Sequence, residues 1–166
     1  MVRKMNHRQT AKIFLSSKMD KAGEKYHSYR QAIINWIESE YPFLEIYPFE
    51  KTAHAGHTRS WEIKEIRDCA LFIAIIFEDS KEVDYEIKCA LDLKNPVLLF
   101  FFPSRKRAKK TWAEFAESRR IKANEALTWE DLIQSIRSSI DDCIIGLFNE
   151  NKGGISYKPP ESMEGI

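Results

Sequence analysis

The sequence predicts a single α/β domain built around a mostly parallel sheet. Residues 70–77 (ALFIAIIF) form an apolar, β-branched run, which is typical of a strand covered on both faces. Several such runs alternate with segments of helical apolar spacing, the signature of parallel strands joined by right-handed crossovers. The chain has 166 residues, the usual length of one domain and enough to enclose a core.

The individual elements follow from apolar periodicity and from turn residues. The predicted strands cover residues 12–17, 43–49, 70–77 and 97–102. The predicted helices are one ending near Ser39, a short one capped by Ser60, one ending near Lys94, one over residues 112–120 and a long one opened by Thr128. Pro48 favours an edge position for the second strand, because proline cannot donate to a strand ladder.

The predicted domain covers residues 12–150, between two polar ends. Residues 1–11 are predicted to be a flexible amino terminus. Residues 151–166 contain Gly-Gly and Pro-Pro pairs and are predicted to be a flexible tail.

Composition argues against several classes of function. The 26 basic and 25 acidic residues give a net charge of +1, so there is no overall drive toward nucleic acid or an anionic membrane. Cys69, Cys89 and Cys143 lie far apart among apolar residues, which is typical of free thiols in a reducing cytoplasm. No signal peptide is expected, and the longest apolar run, residues 96–103, is too short to span a bilayer.

Three polar segments follow predicted strands, and ligands of parallel α/β sheets bind outside the carboxyl ends of the strands. Ser16, Ser17 and Lys18 follow the first strand. They could bind a phosphate through hydroxyls, backbone N–H groups and an ammonium, or the serines could simply cap local backbone groups. The other two segments are residues 54–60 and residues 78–86.

The loop after the second strand contains two histidines, His54 and His57. Two ligands do not complete a metal site, so ordinary surface histidines are favoured over a metal centre. An intermediate hypothesis is that this loop, with Arg59 and Trp61, lies over a nucleotide. The basic run at residues 105–110 could meet phosphates, but a solvated helix start is the favoured interpretation.

Glu86 is the strongest candidate for a functional residue. On a helical wheel it lies at the border of an apolar face, whereas Glu82, Asp84 and Asp92 point further toward water. A carboxylate in the first turns of a helix at the ligand-binding end of the sheet can bind ribose hydroxyls or stabilise a developing cation at a sugar carbon. The alternative is an ordinary glutamate near a helix N-terminus, favoured by the helix dipole.

Several segments resemble one superfamily. They are KIFLSSK at residues 12–18, Tyr29-Arg30, IRDCALFIAII at residues 66–76 and VDYEIKCALDLKNPVLLFF at residues 83–101. Together they resemble the TIR-like and nucleoside 2-deoxyribosyltransferase-like superfamily, and especially the TIR-like domains of prokaryotic signalling and defence proteins. The resemblance covers roughly residues 11–102. Its most specific part runs from Glu86 to Val97 and looks like the family's Glu-x-Gly-x-Ala…Gly-Lys-Pro-Val segment.

The resemblance implies a flavodoxin-like three-layer sandwich with a four- to five-stranded, mostly parallel sheet. It implies an N-glycosidase in which Glu86 acts on the ribose of NAD or a nucleoside, by attacking the anomeric carbon or by holding the ribose hydroxyls. NAD or a nucleotide would then be a substrate or ligand, with no separate cofactor and no metal. A homo-oligomer or a partner protein, and a role in bacterial antiphage defence, are also implied.

The resemblance also suggests which residues contact the substrate. Ser16, Ser17 and Lys18 would lie at the phosphate or base side, with Asp79 and Ser80 in the loop where relatives place polar contacts. The chain departs from the family pattern where Lys88 replaces a glycine and where Lys94-Asn95 replaces Gly-Lys. Many members are non-catalytic, so an interaction module or a nucleotide-signal receptor is the alternative to an enzyme.

Overall fold

A five-stranded sheet, parallel throughout, forms the centre of the protein. The computed structural model describes residues 11–18, 24–47, 59–118 and 120–150, without the side chains of residues 59, 60 and 145–150. The strands are β1 (Ala11–Ser17), β2 (Leu44–Tyr47), β3 (Leu71–Ile76), β4 (Val97–Phe101) and β5 (Ile121–Glu125). The helices are α1 (Lys25–Glu40), α2 (Arg59–Asp68), α3 (Lys81–Asp92), α4 (Lys109–Phe115) and α5 (Trp129–Glu150).

Helices cover both faces of the sheet because successive strand residues point to opposite sides. Ile13 and Leu15 of β1 pack in one apolar cluster with residues of α1 and α5. Phe14, between them, packs in a second cluster with residues of α2, α3 and α4. The fold is therefore the predicted α/β sandwich of three layers, and the expectation of a flavodoxin-like architecture is confirmed.

The strand order β2-β1-β3-β4-β5 opens a crevice between the carboxyl ends of β1 and β3. The connection through α1 leads from β1 to β2 on one side, whereas the connection through α3 leads from β3 to β4 on the other. Open α/β sheets bind ligands at such a point, where neighbouring connections diverge. β3 is buried along its whole length, and β2 lies at an edge, both as predicted.

Three predicted details were wrong, and a fourth lies partly outside the described residues. β5 was not predicted, and its side chains are only partly buried because it forms an edge of the sheet. The helix predicted at residues 112–120 begins earlier, at Lys109, and ends at Phe115. A 3₁₀ turn at Arg105–Arg107 precedes it. Ser60 lies within α2 and not before it. The described part of the second strand is limited to Leu44–Tyr47, and Pro48 lies outside the described residues.

Two local features agree with the sequence pattern. Thr128 precedes α5, and its Oγ1 accepts a hydrogen bond of 3.1 Å from the backbone N–H of Asp131. The helix predicted to end near Lys94 does so: α3 ends at Asp92, and Lys94 has a φ of 64°, in the left-handed region that favours glycine.

Candidate functional site

A cavity of about 490 Å³ lies at the carboxyl end of the sheet, in the crevice between β1 and β3. Its walls come from the end of β1, from α1 and α2, and from the β3–α3 loop with the first turns of α3. The lining residues are Phe14, Leu15, Ser16, Ser17, Lys18, Arg30, Glu62, Asp79, Ser80, Lys81, Glu82 and Glu86. A volume of this size is in the range of small-molecule sites.

Glu86 lies in the wall of this cavity with its side chain partly exposed. The hydroxyl of Ser16, which is buried at the end of β1, donates a hydrogen bond of 2.6 Å to Oε1 of Glu86. Burial is the main cause that raises the pKa of Glu86 to about 8, and the Ser16 hydrogen bond acts in the opposite direction. The site therefore favours the neutral form of the Glu86 carboxyl group more than water does.

Glu62 of α2 is a second carboxyl group in the same cavity. It hydrogen-bonds to Glu86, and both this bond and its negative charge raise the pKa of Glu86. A hydrogen bond between two carboxyl groups needs one proton, since two carboxylates have only acceptors. The helices α2 and α3 thus bring two carboxyl groups to one cavity.

Arg30 forms the inner wall of the cavity and is only 2% exposed. Its Nη1 donates to the carbonyl oxygen of Leu15 at 3.1 Å and to Oγ of Ser17 at 2.9 Å. A buried guanidinium bound in this way holds the end of β1 in one conformation. Its positive charge also lowers the pKa of Glu86, although less than burial raises it.

The rim of the cavity carries both signs of charge. Lys18 forms an ion pair with Glu78, and the Lys18 ammonium lies 5.8 Å from the centre of the Tyr26 ring. Ser80 caps α3, since its Oγ accepts a hydrogen bond of 3.5 Å from the backbone N–H of Val83. Lys81, in the first turn of α3, is exposed at the rim. Phosphate groups can be bound by such a mixture of ammonium groups and helix N-terminal N–H groups.

Asp79 connects the rim to α4. Its Oδ1 accepts hydrogen bonds from the backbone N–H and the hydroxyl of Thr111, at 3.0 and 2.9 Å. The same hydroxyl lies 2.8 Å from Oδ1 of Asp84, so it bridges two carboxyl groups with one hydrogen. The prediction that Asp84 points toward water was wrong: it is 7% exposed because α4 covers it, and burial raises its pKa.

Six of the seven residues predicted for the site line this one cavity. They are Ser16, Ser17, Lys18, Asp79, Ser80 and Glu86. Trp61 does not line it; its side chain is 44% exposed on α2, with the Lys64 ammonium 5.4 Å from its ring centre. The predicted loop with His54 and His57 lies outside the described residues.

Six of the twelve lining residues were not predicted as site residues, and two of these, Arg30 and Glu62, act directly on the pKa of Glu86. In the sequence, Arg30 stands out only as part of the family resemblance. Its helical spacing from Ile33, Ile34 and Ile37 places it on the buried face of α1, and a charged residue on such a face indicates a site. Glu62 carries no such signal, since only the packing of α2 beside α3 brings it to Glu86.

Neither a metal site nor a membrane span is found in the described residues. No group of three His, Cys, Asp or Glu side chains there is placed to hold a metal ion. The helices in the described ranges include none that is long and apolar enough to cross a membrane. All three cysteines of the chain are free thiols, and the most buried is Cys69.

Comparisons with known proteins show a likeness of fold to a solved structure. No known protein family matches the chain, and no curated protein is similar enough in sequence to match it. The structure is similar to the crystal structure of a conserved protein from Enterococcus faecalis V583, with a TM-score of 0.56 and 14% sequence identity. The similarity covers 78% of this chain and 99% of that protein, and it is a likeness of fold.

Proposed function

We propose that this chain is a TIR-like domain that binds NAD or a related nucleotide and cleaves the bond between base and ribose. One observation carries the proposal: Glu86 projects into the cavity between β1 and β3 and is held there by Ser16 at 2.6 Å. A carboxyl group in a partly desolvated crevice, at the ligand-binding edge of a parallel sheet, fits a role at a sugar carbon.

The proposed reaction breaks the bond between the anomeric carbon and the base nitrogen. The bonding electrons leave with the base, and the ribose becomes an oxocarbenium-like cation. Glu86, as a carboxylate, either bonds to the anomeric carbon or stabilises the cation while it holds the ribose hydroxyls. Water then adds its oxygen to the anomeric carbon, and in the covalent route this breaks the bond to Glu86 and restores the carboxylate. The proton lost by water goes to solvent when the base leaves neutral, as nicotinamide does, or to the departing base of a nucleoside. The low polarity around Glu86 strengthens its attraction to the cation.

The remainder of the cavity suits the phosphate-bearing part of a nucleotide. Ammonium and N–H groups are offered by Lys81 at the rim, by the amino-terminal turn of α3 and by the end of β1. Arg30 donates hydrogen bonds to Leu15 and Ser17, and in this way it supports the cavity wall that a ligand would contact. Ligand size and polarity thus agree with a mononucleotide or one half of a dinucleotide.

A nucleotide receptor without turnover is the second candidate, favoured by one observation. Burial raises the pKa of Glu86 to about 8, which favours the neutral carboxylic acid at neutral pH. That form hydrogen-bonds to ribose hydroxyls but stabilises a cation poorly. The enzyme proposal therefore requires that substrate binding shifts Glu86 toward its ionised form.

An interaction module has less support in the described residues. Among the described residues of this protein, the exposed large apolar side chains include Phe43 and Leu127. Phe43 precedes β2 and Leu127 follows β5, so they lie at opposite ends of the sheet and do not form one patch. A homo-oligomer or a partner protein, and a role in antiphage defence, remain part of the proposal as the resemblance implies them.

The proposal is tested by release of free base. The protein is incubated with NAD and with deoxynucleosides over a range of protein concentrations, and bases are separated by chromatography. We expect release by the wild type and loss of release in Glu86→Gln. Asp92→Asn is the matched control, because it removes an exposed carboxylate from the same helix at a position outside the cavity lining. No release at any concentration, with binding of NAD retained, would favour the receptor, and release that survives Glu86→Gln would refute the site.

A further inference from the structure

An ion pair joins the two strand ends that border the cavity. Lys18 follows β1 and Glu78 follows β3, and these strands are neighbours in the sheet, with Ser17 opposite Ile75. Lys18 lines the cavity, whereas Glu78 is not among the lining residues. The proposed cleavage at the ribose uses Glu86 and does not by itself need this contact.

The Lys18 ammonium is held at one place beside the cavity. Glu78 supplies a carboxylate, and the centre of the Tyr26 ring lies 5.8 Å from the ammonium. Tyr26 is itself stacked on the buried ring of Phe77, with ring centres 4.8 Å apart. The Lys18 and Glu78 side chains are 37% and 36% exposed, so water reaches both ends of the pair. Ion pairs that water reaches are weak and exchange partners at little cost.

The cavity has few cations to offer an anionic ligand. Its lining carries three basic side chains, Lys18, Arg30 and Lys81, against four acidic ones. Arg30 is buried and donates to Leu15 and Ser17, so its charge is already used to hold the cavity wall. Lys81 is exposed at the rim. Lys18 is therefore the lining cation that combines access to a ligand with a position fixed by neighbouring groups.

We propose that Lys18 binds the phosphate of a nucleotide in this cavity and that Glu78 is a built-in competitor, which the phosphate displaces from the ammonium. Carboxylate and phosphate are both oxyanions, so they compete for the same ammonium hydrogens. The exchange favours nucleotides over uncharged nucleosides, the two substrate classes that the proposed cleavage leaves open. The inference rests on the proposed function, since it names the substrate class of the same cavity.

The first test compares AMP with adenosine by isothermal titration calorimetry on the full-length protein. We expect Lys18→Met to weaken AMP binding about tenfold, because an ammonium contact with phosphate is lost. We expect Glu78→Gln to tighten AMP binding about two- to fivefold, because a weak ion pair no longer has to break. Neither change should alter adenosine binding. Asp92→Asn makes the same change in net charge outside the cavity lining and should leave AMP binding unchanged.

The second test is a double-mutant cycle, because simple repulsion between Glu78 and the phosphate would also make Glu78→Gln bind AMP more tightly. Repulsion acts whether or not Lys18 is present, whereas competition for the ammonium needs Lys18. We expect the gain from Glu78→Gln to be about twofold or more smaller in the Lys18→Met background than in the wild type. A gain that is equal or larger in the Lys18→Met background overturns the inference.

The remaining outcomes separate this inference from the proposed cleavage. Unchanged AMP binding in Lys18→Met overturns the inference, and so does a lack of AMP binding by both the wild type and Glu78→Gln. If AMP binds with the expected pattern and no base is released from any substrate, the cleavage proposal fails and the inference stands. If base is released and the cycle shows no coupling, the inference alone fails.

Discussion

The stability of the protein should depend on pH through Glu86, and Glu86→Gln should remove that dependence. The pKa of this carboxyl is about 8 in the folded protein against an ordinary value of 4.5. Below the lower value both the folded and the unfolded chain are protonated. Between the two values the unfolded chain releases a proton that the native state keeps, so the free energy of unfolding of the wild type falls as pH rises.

The size of the effect follows from the two pKa values. Each pH unit in this window lowers the free energy of unfolding by about 1.4 kcal/mol, which sets an upper bound of about 5 kcal/mol. The Glu86 side chain is partly exposed to solvent, which reduces the penalty for ionising it in the folded protein. We therefore expect roughly 2–3 kcal/mol over the whole window. Glutamine resembles protonated glutamate and retains a partner for Ser16.

The assay is urea unfolding followed by circular dichroism, from about pH 5 to about pH 8. The stability of Glu86→Gln relative to the wild type should rise steadily across this range. Glu82→Gln, an exposed change on the same helix, serves as the control for the substitution itself. A difference between Glu86→Gln and the wild type that is constant from the acid to the alkaline end would refute the assignment of Glu86 as a buried, neutral acid.

Three further predictions concern the residues that support the site. Thr111→Val should lower the free energy of unfolding by about 1–3 kcal/mol, because it leaves the buried carboxyl of Asp84 without its hydroxyl partner at 2.8 Å. Arg30→Met should cost more than about 2 kcal/mol, because two hydrogen bonds from a charged group to Leu15 and Ser17 are lost. Lys94→Gly should be neutral or stabilising by up to about 1 kcal/mol, since φ is 64° there.

Controls make these three measurements specific. Thr111→Val should lower the free energy of unfolding less in an Asp84→Leu background than in the wild type. Equal losses in the two backgrounds would contradict the bridging role of the hydroxyl. Arg30→Lys should fall between the wild type and Arg30→Met, because it keeps one cationic donor. Lys88→Gly, an exposed change inside α3, should lower stability by about 1 kcal/mol, and a similar loss for Lys94→Gly would show that the left-handed backbone is not limiting there.

Strands with strong apolar runs were predictable because burial on both faces leaves a local pattern. β3 and β4 are buried at every position, and their sequences are apolar at every position. β5 was missed because an edge strand with partly buried side chains, IKANE, has no such pattern. Asp84 was misplaced for a related reason: a helical wheel gives the direction of a side chain but not whether another helix, here α4, lies in that direction.

The sequence by itself determined the α/β class, the buried central strand and the edge of the sheet where polar residues collect. These depend on local periodicity and on the rule that parallel strands end together. The tertiary structure alone decided that Glu62 meets Glu86, because these two residues lie on different helices and only the packing of α2 beside α3 joins them. It also decided the raised pKa of Glu86, since desolvation depends on everything that surrounds a side chain and not on its neighbours in sequence.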